Sequence, residues 1–495
     1  MMNLAEAFAH HTRARPTHIA LMAGTRSIDY RALHVAVERD SAALASLGAR
    51  EGDVVGLALK DTIEHVVLFY ALARLGLVIL PMDWRWSQEE KARIARHFAP
   101  RFVLVEEGAT IDGVPCVALD DVWTSRVATS PRVLDYPQGG DLPLLVSLSS
   151  GTTGRPKGPL LTHHQFFRRF MTHWINLGLN AGDRYVSATP LYFGGGRTFA
   201  MSVLFAGGTV ALFPPPYEPA ELASEVARRA ATSLFLVPTL LRRLLELSPE
   251  AAEPLQNLRL LLSSGSALHA EERRAIRSRL CPQFFEYYAS TEGGGVSLLT
   301  PDDQETRGKS VGRPVFGVDV EIVDDEHRVL PAGETGRLRY RGPGVARGFF
   351  RETESDPETF REGWFYPGDV ASLDDAGYVY LKGRRKDLII RGGVNIYPED
   401  IEFALAGHPA VVDAAVAGLP HREFGEQVAA FVVTREPVTQ AALIDWCRAR
   451  LAAYKVPQQV QFLSELPRNS SGKVLKTKLI DEAVKRGSQP SGDER

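Results

Sequence analysis

The run SSGTTGRPKG at 149–158 is the segment of this chain best equipped for chemistry. Gly151, Gly154 and Gly158 let the backbone curl with its N–H groups pointing inward. Ser149, Ser150, Thr152 and Thr153 add hydroxyl donors and Lys157 adds a cation, so the run has the makings of a polyphosphate cradle. It lacks the GxxxxGK[ST] spacing of a Walker A loop. On its own such a loop is more often plain surface, or a serine-amidase-like Ser-Ser-Gly segment. Three further clusters weigh against the plain reading. At Tyr288-Ala289-Ser290-Thr291-Glu292 a strand ends in a hydroxyl and a carboxylate, and Glu292 suits a Mg2+ ion that bridges phosphates, although a Thr-Glu pair also caps helices. Asp369 sits in the turn GWFYPGD as a candidate acceptor for a ribose diol, or simply as a turn former, and GRRKD follows at 383–387. Lys473 ends the tight turn PRNSSGK, where an exposed lysine ordinarily does nothing.

The elements around these clusters divide into three regimes. From Leu142 to Ala289, short apolar runs alternate with helical patterns, which predicts an α/β fold with a doubly wound parallel sheet. Strands are expected at 142–148, 234–237, 258–262 and 284–288, and helices over 163–177 and 268–280. Ligands in such folds gather at the carboxyl ends of the strands. After Leu298 the runs shorten and Gly/Pro turns multiply, as in a small antiparallel barrel or meander. Near Lys386 a compact α+β unit begins.

With 57 Lys+Arg against 60 Asp+Glu in 495 residues, composition argues against a nucleic-acid partner. Cys116, Cys281 and Cys447 stand far apart, without a CxxC pair, which fits a reducing compartment. The most apolar stretch, 66–82, is interrupted by Arg74 and Gly76 and reads as a buried helix and strand rather than a membrane insertion. Glu6 and two histidines break the N-terminus where a secretory signal needs an apolar core, so a cytoplasmic location is expected.

In order and spacing, the four clusters together resemble the adenylate-forming enzymes: acyl-CoA synthetases, nonribosomal-peptide adenylation domains and firefly luciferase. The likeness runs from the N-terminal segment to Lys473 and is nearest to the AMP-forming acyl-CoA synthetases. It implies an N-terminal AMP-binding domain over 1–385, a small mobile domain over 386–495, and an active site between them. By resemblance, Ser149 to Gly154 and Lys157 grip the phosphates of ATP, Thr291 belongs to the nucleotide site, and Ser149 with Glu292 organises Mg2+. Gly265, Ser266 and Ala267, with Tyr287 and Tyr288, match the segments that sandwich adenine. Asp369 and Arg384 match the ribose-binding pair and Lys386 the hinge. Lys473 matches the lysine that contacts the carboxylate and α-phosphate, and Gly393 leaves room for the pantetheine arm of CoA.

The substrate segment departs from the family pattern. Phe193 stands where many relatives carry a histidine, and Gly194 stands where amino-acid-activating domains place an aspartate for the substrate ammonium. An α-amino acid would therefore bury its cation unpaired. Arg243 resembles the malonate-activating branch, but Tyr287 replaces that branch's arginine and counts against a dicarboxylate. Arg197 has two readings, recognition of a polar substituent or snorkelling from a helix start. Gly194, Gly195 and Gly196, together with Gly293 to Gly295, suggest a roomy acyl pocket. The implied reaction is ATP-dependent formation of an acyl-AMP from a small carboxylic acid, fatty or aryl, and its transfer to CoA. The alternative is loading of a separate carrier protein, favoured less because the chain ends soon after Lys473. Assembly as a homodimer is left open. A non-catalytic nucleotide sensor would not need Lys157, Glu292, Asp369, Arg384 and Lys473 together, and an amidase would leave Arg384 and Lys473 unexplained.

Overall fold

The computed structural model describes residues 3–131, 135–148, 156–266, 268, 270–352, 358–391, 394–422, 424–468 and 473–487. The apolar 66–82 stretch folds as the helix Ile63–Arg74 followed by the strand Val78–Pro81, and Gly76 turns between them at φ +66°. Arg74 is buried, with its guanidinium 3.8 Å from the Tyr136 ring centre and 3.8 Å from Glu38, so its charge has partners inside the domain. Among the described residues no helix is long and apolar enough to cross a membrane.

That strand belongs to a six-stranded sheet whose order is Cys116–Ala118, Phe102–Val105, Val54–Ala58, Val78–Pro81, Pro143–Val146 and Leu160–Thr162. Only its last pairing is antiparallel. The 149–158 run is the connection across that pairing.

A nine-stranded sheet lies beside it. Its central strands Phe284–Ser290, Leu260–Ser263, Ser233–Leu236, Arg184–Ser187, Thr209–Leu212 and Ile19–Ala23 run parallel in that spatial order, with antiparallel strands at both edges. From Arg184–Ser187 the chain moves one way to Thr209–Leu212 and then the other way to Ser233–Leu236. The sheet therefore has its topological switch point between Arg184–Ser187 and Ser233–Leu236, the place where such folds bind ligands at the carboxyl ends. Both faces are covered. Tyr185, Phe235, Leu260 and Leu262 join one core cluster, while Val186, Leu234 and Leu261 join another on the opposite face, as the two-residue period of a strand requires.

The region after Leu298 forms an open six-stranded antiparallel sheet around Thr335–Arg341 and Asp369–Leu373, not a closed barrel. A five-stranded sheet covering Ile389–Phe462 follows, built on the long hairpin Val411–His421 and Gly425–Thr434. The helices Pro398–Ala406 and Gln440–Arg448 lie on one face of it and Lys476–Gly487 on the other, consistent with the alternation of Val416 and Ala417 between two clusters.

One close backbone approach lies within the nine-stranded sheet, between the strand Gly294–Leu299 and the residue that precedes the edge strand Arg313–Pro314. Gly312 has φ +92°, and a Cβ there would overlap the carbonyl of Leu298. Gly312→Ala is expected to cost more than about 1 kcal/mol, since both the backbone angle and the contact disfavour a side chain. A lowered thermal midpoint with unchanged far-ultraviolet circular dichroism at low temperature checks this.

Candidate active site

The carboxyl ends of four neighbouring parallel strands carry the sequence-predicted residues. Strand Arg184–Ser187 leads into Thr189 to Arg197, Ser233–Leu236 into Val237, Leu260–Ser263 into Gly265 and Ser266, and Phe284–Ser290 into Thr291 and Glu292. Gly265 takes φ +112° and, with Ser266, forms an exposed backbone shelf. Ala267, the phosphate-loop residues Ser149, Ser150, Gly151, Thr152, Thr153 and Gly154, and Gly393 lie outside the described residues. Lys157 and Gly158 follow that run and are placed by the 349–352 segment. Lys157 lies 3.4 Å from Glu352 and over the Phe349 ring, and the Phe350 N–H donates to the Gly158 carbonyl at 2.9 Å.

Thr291 and Glu292 are placed by Arg169, which the sequence reading did not single out. Its Nη1 donates to the Thr291 carbonyl at 3.1 Å, its Nη2 to the Glu292 carbonyl at 2.7 Å and its Nε to the Gly344 carbonyl at 2.9 Å. The available signal was positional: an arginine among Phe166, Phe170 and His173 on the apolar stripe of the helix His163–Leu177. Burial pushes the Glu292 carboxyl above its usual range, and no ion pair reaches it among the described residues. A hard cation would relieve that cost. Mg2+ prefers one or two carboxylates plus phosphate oxygens, so Glu292 with nucleotide phosphates fits such an ion.

At the nucleotide end, the Tyr288 hydroxyl donates to Asp369 Oδ2, and Arg384 Nε lies 3.0 Å from Asp369 Oδ1. Lys473 reaches the same neighbourhood from the C-terminal unit. Burial and the nearby Arg384 and Lys386 cations lower its ammonium pKa to about 8, against the opposing pull of Asp369 and Asp387. Burial also lowers Lys386, which sits in the short 3-10 turn Arg385–Asp387. Three cations held around two carboxylates make a site that an added anion would stabilise.

The acyl end corrects three expectations. Tyr287 does not share the adenine side with Tyr288, because adjacent strand residues face opposite ways. Its hydroxyl pairs with Thr172 at 3.2 Å, and its ring lies edge-on to His173 and Phe199. Most of the glycines are filled space, not room. A Cβ on Gly293 would overlap the Tyr340 hydroxyl and one on Gly295 the Tyr287 hydroxyl; one on Gly195 would meet Phe235 at 2.9 Å, and one on Gly196 the Pro190 carbonyl at 2.6 Å. Among the described residues a Cβ on Gly194 would meet only Ser147 Oγ, at an ordinary contact distance of 3.7 Å. Arg197 does not snorkel. It is buried, and its head folds back to donate to the carbonyls of Leu191 and Tyr192 at 3.1 and 2.9 Å and to Ser147 Oγ at 3.1 Å. Phe193 is the N-cap residue of the helix Gly194–Ala206 and makes no side-chain capping bond.

A doubly wound sheet with a Thr-Glu carboxylate at a strand end, an Asp-Arg pair beside Tyr288 and a lysine from the C-terminal unit is the arrangement expected of the acid-activating, ATP-dependent ligases. The chain belongs to the AMP-binding enzyme family, matching it over residues 8–350 and the AMP-binding enzyme C-terminal domain over 400–473. It is 31% identical to the 2-succinylbenzoate--CoA ligase of Bacillus cytotoxicus, across 94% of this chain and 95% of that protein. Among solved structures it resembles ATP-bound MatB from Rhodopseudomonas palustris (TM-score 0.89, 30% identity, 97% and 98% of the two chains). The apo form of the same protein is less similar, at TM-score 0.79. O-succinylbenzoate CoA synthetase (MenE) from Bacillus subtilis, in complex with its acyl-adenylate, gives TM-score 0.87 at 27% identity over 100% of this chain and 99% of that one. The class reaction is ATP-dependent activation of a carboxylic acid as acyl-AMP, followed by transfer to CoA.

Lys473 supplies a pH test. The family resemblance gives the ammonium form the work in adenylation, and that form is present below its pKa of about 8. kcat/KM for adenylation, which reports the free enzyme, is therefore expected to fall as pH rises through that value. Lys473→Arg keeps the charge, so its alkaline limb should move upward; profiles of ATP-pyrophosphate exchange against pH measure this.

Proposed function

We propose that this chain is an aryl acid–CoA ligase. The observation that carries the reading is the packing behind the acyl site. His173 stacks on Phe199 at 4.1 Å between ring centres, Phe199 stacks on Phe235 at 4.9 Å, and Tyr287 closes the group edge-on. This aromatic block fills the depth between the helix Gly194–Ala206 and the sheet that a long alkyl chain would need. A short, flat acid is the substrate that this packing favours. The names of the relatives, 2-succinylbenzoate--CoA ligases, support the same choice.

In the first half-reaction a carboxylate oxygen attacks the α-phosphorus of ATP, a C–O–P link forms, the Pα–O–Pβ bond breaks and pyrophosphate leaves. Two anions must approach, so positive charge at both ends governs the rate. Lys473 supplies it at the carboxylate and α-phosphate, and Lys157 at the departing pyrophosphate. Glu292 and Ser149 would hold Mg2+, which neutralises phosphate charge when bound. Asp369 and Arg384 hold the ribose, and Tyr288 with the Gly265–Ser266 shelf flanks the adenine. The position of Lys473 beside Arg384, and the greater likeness to ATP-bound than to apo MatB, support the adenylation arrangement.

In the second half-reaction the CoA sulfur attacks the acyl carbon, its proton is released and AMP departs. Residues 386–495 act as a domain that turns about Lys386, withdraws Lys473 and brings the Gly393 segment to the thiol. Lys473→Ala is expected to lower adenylation by about a hundredfold or more while sparing thioester formation from supplied acyl-AMP; equal loss of both steps sinks the assignment. Lys386→Pro should impair mainly the thioester step, measured from supplied acyl-AMP. The reading as a whole is tested by a panel of aromatic and alkanoic acids assayed for ATP-dependent pyrophosphate release with and without CoA. Benzoate-type acids should give CoA thioesters. Turnover of long alkanoates alone would contradict the aromatic reading, and thioester formation only on an added carrier protein would contradict CoA as acceptor.

A further inference from the structure

Glu399, Asp400 and Glu402 stand in the first two turns of the helix Pro398–Ala406, and their surroundings differ. Asp400 pairs with Lys455 at 2.5 Å, and Glu402 pairs with Lys476 at 2.8 Å and accepts the Val416 N–H at 2.7 Å. Glu399 has no ion pair among the described residues, and its Oε2 is buried without a hydrogen-bond partner among them. An acid in a first turn ordinarily serves the helix dipole from the solvent side. Glu399 instead crosses to the N-terminal unit. Its carboxylate fills the notch left by Gly383 in the strand Val379–Arg384, where a Cβ would overlap it. The same helix makes a second contact across that boundary, with Lys309 over the Phe403 ring at 5.8 Å from its centre.

Four elements surround this carboxyl. Lys476 leads the helix Lys476–Gly487, Glu402 lies one turn along its own helix, and Asp387 ends the 3-10 turn that carries Lys386. The strand presents Gly383, while its Arg384 turns to Asp369. Burial pushes the Glu399 carboxyl up to about 7; Lys476 and the residue's own N–H oppose the rise, and Glu402 and Asp387 add to it. A carboxyl released to water ionises near its ordinary value of 4.5. Seating in the notch therefore takes up a proton. The advantage of the seated arrangement is fully present below the released value and is lost as pH rises through the seated one.

We propose that Glu399 is a proton-operated latch on the turning of the C-terminal unit: protonated, it seats against Gly383 and holds the adenylation arrangement; ionised, it favours leaving the notch and thereby the thioester arrangement. The proposal rests on the rotation about Lys386 proposed above and adds what biases it. Glu399 touches neither nucleotide nor acid, so it acts on the populations of two arrangements and not on the chemistry of either step.

The test follows the arrangement and the second half-reaction separately. Fluorescence energy transfer between dyes at Val122→Cys and Val412→Cys, both exposed positions, in a Cys116→Ser background, reports the two populations. The ratio of seated to released protein is expected to rise about fivefold or more between pH 7.5 and 6 and to level off above pH 8. Glu399→Gln, neutral at every pH, should stay seated and flatten that dependence. In thioester formation from supplied acyl-AMP, the ratio of wild type to Glu399→Gln should rise from near unity at pH 6 to about fivefold at pH 8, a comparison in which ionisation of the CoA thiol cancels. Gly383→Ala fills the notch and should deplete the seated population at every pH, so the decision does not hang on one variant folding. A seated fraction that ignores pH in the wild type, or that shifts equally in Glu399→Gln, overturns the latch, as does a rate ratio constant with pH. A dye pair that keeps one distance with ATP and with acyl-AMP plus CoA overturns the rotation itself, and the latch with it.

Discussion

The guanidinium of Arg169 is the constraint on which the site depends. Its three donors end on carbonyls of Gly344, Thr291 and Glu292, so one buried cation ties the helix His163–Leu177 to the carboxyl end of a central strand and to the antiparallel sheet. Without it, the Thr-Glu carbonyls would lose their donors, and the carboxylate of Glu292 would lose its aim. Gly294, at φ +72°, leaves the space that the Arg169 side chain occupies, since a Cβ there would meet its stem at 3.0 Å. The glycines after Glu292 therefore serve this clamp and the Tyr340 and Tyr287 hydroxyls, rather than the substrate.

Charge is distributed in the same economical way. The chain is nearly neutral overall, yet Lys473, Lys386 and Arg384 converge on Asp369, and Arg169 and Arg197 lie buried close enough to repel one another. Such an excess of local positive charge is tolerable in a site that receives a triphosphate and at least one carboxylate. The lowered pKa of Lys473 expresses the cost of holding it there before the anions arrive.

Much of the architecture was legible because period-2 and period-3.6 patterns are local. The helix 163–177 appears with the expected bounds, and the strands at 234–237, 258–262 and 284–288 appear within two residues at each end. The pairing of Asp369 with Arg384 was also legible, through motif order. The role of the glycines was not. Gly194, Gly195 and Gly196 are identical as letters, but among the described residues one meets only Ser147 Oγ at ordinary contact distance, one an aromatic ring and one its own preceding backbone. Only the surrounding packing tells them apart.

Residue types and their order alone determined the reaction class, the nucleotide motifs and the division into three regimes, because each needs a fixed chemical group at a fixed place in the chain. The tertiary structure decided which way those groups face. Tyr287 and Tyr288 are neighbours in sequence, and the strand that carries them sends one to the acyl side and the other to Asp369. Arg197 read either as a recogniser of a polar substituent or as a snorkelling cation, and Arg169 drew no reading, yet the fold buries both. Burial and facing are properties of what packs against a residue from distant parts of the chain, and no local pattern records them.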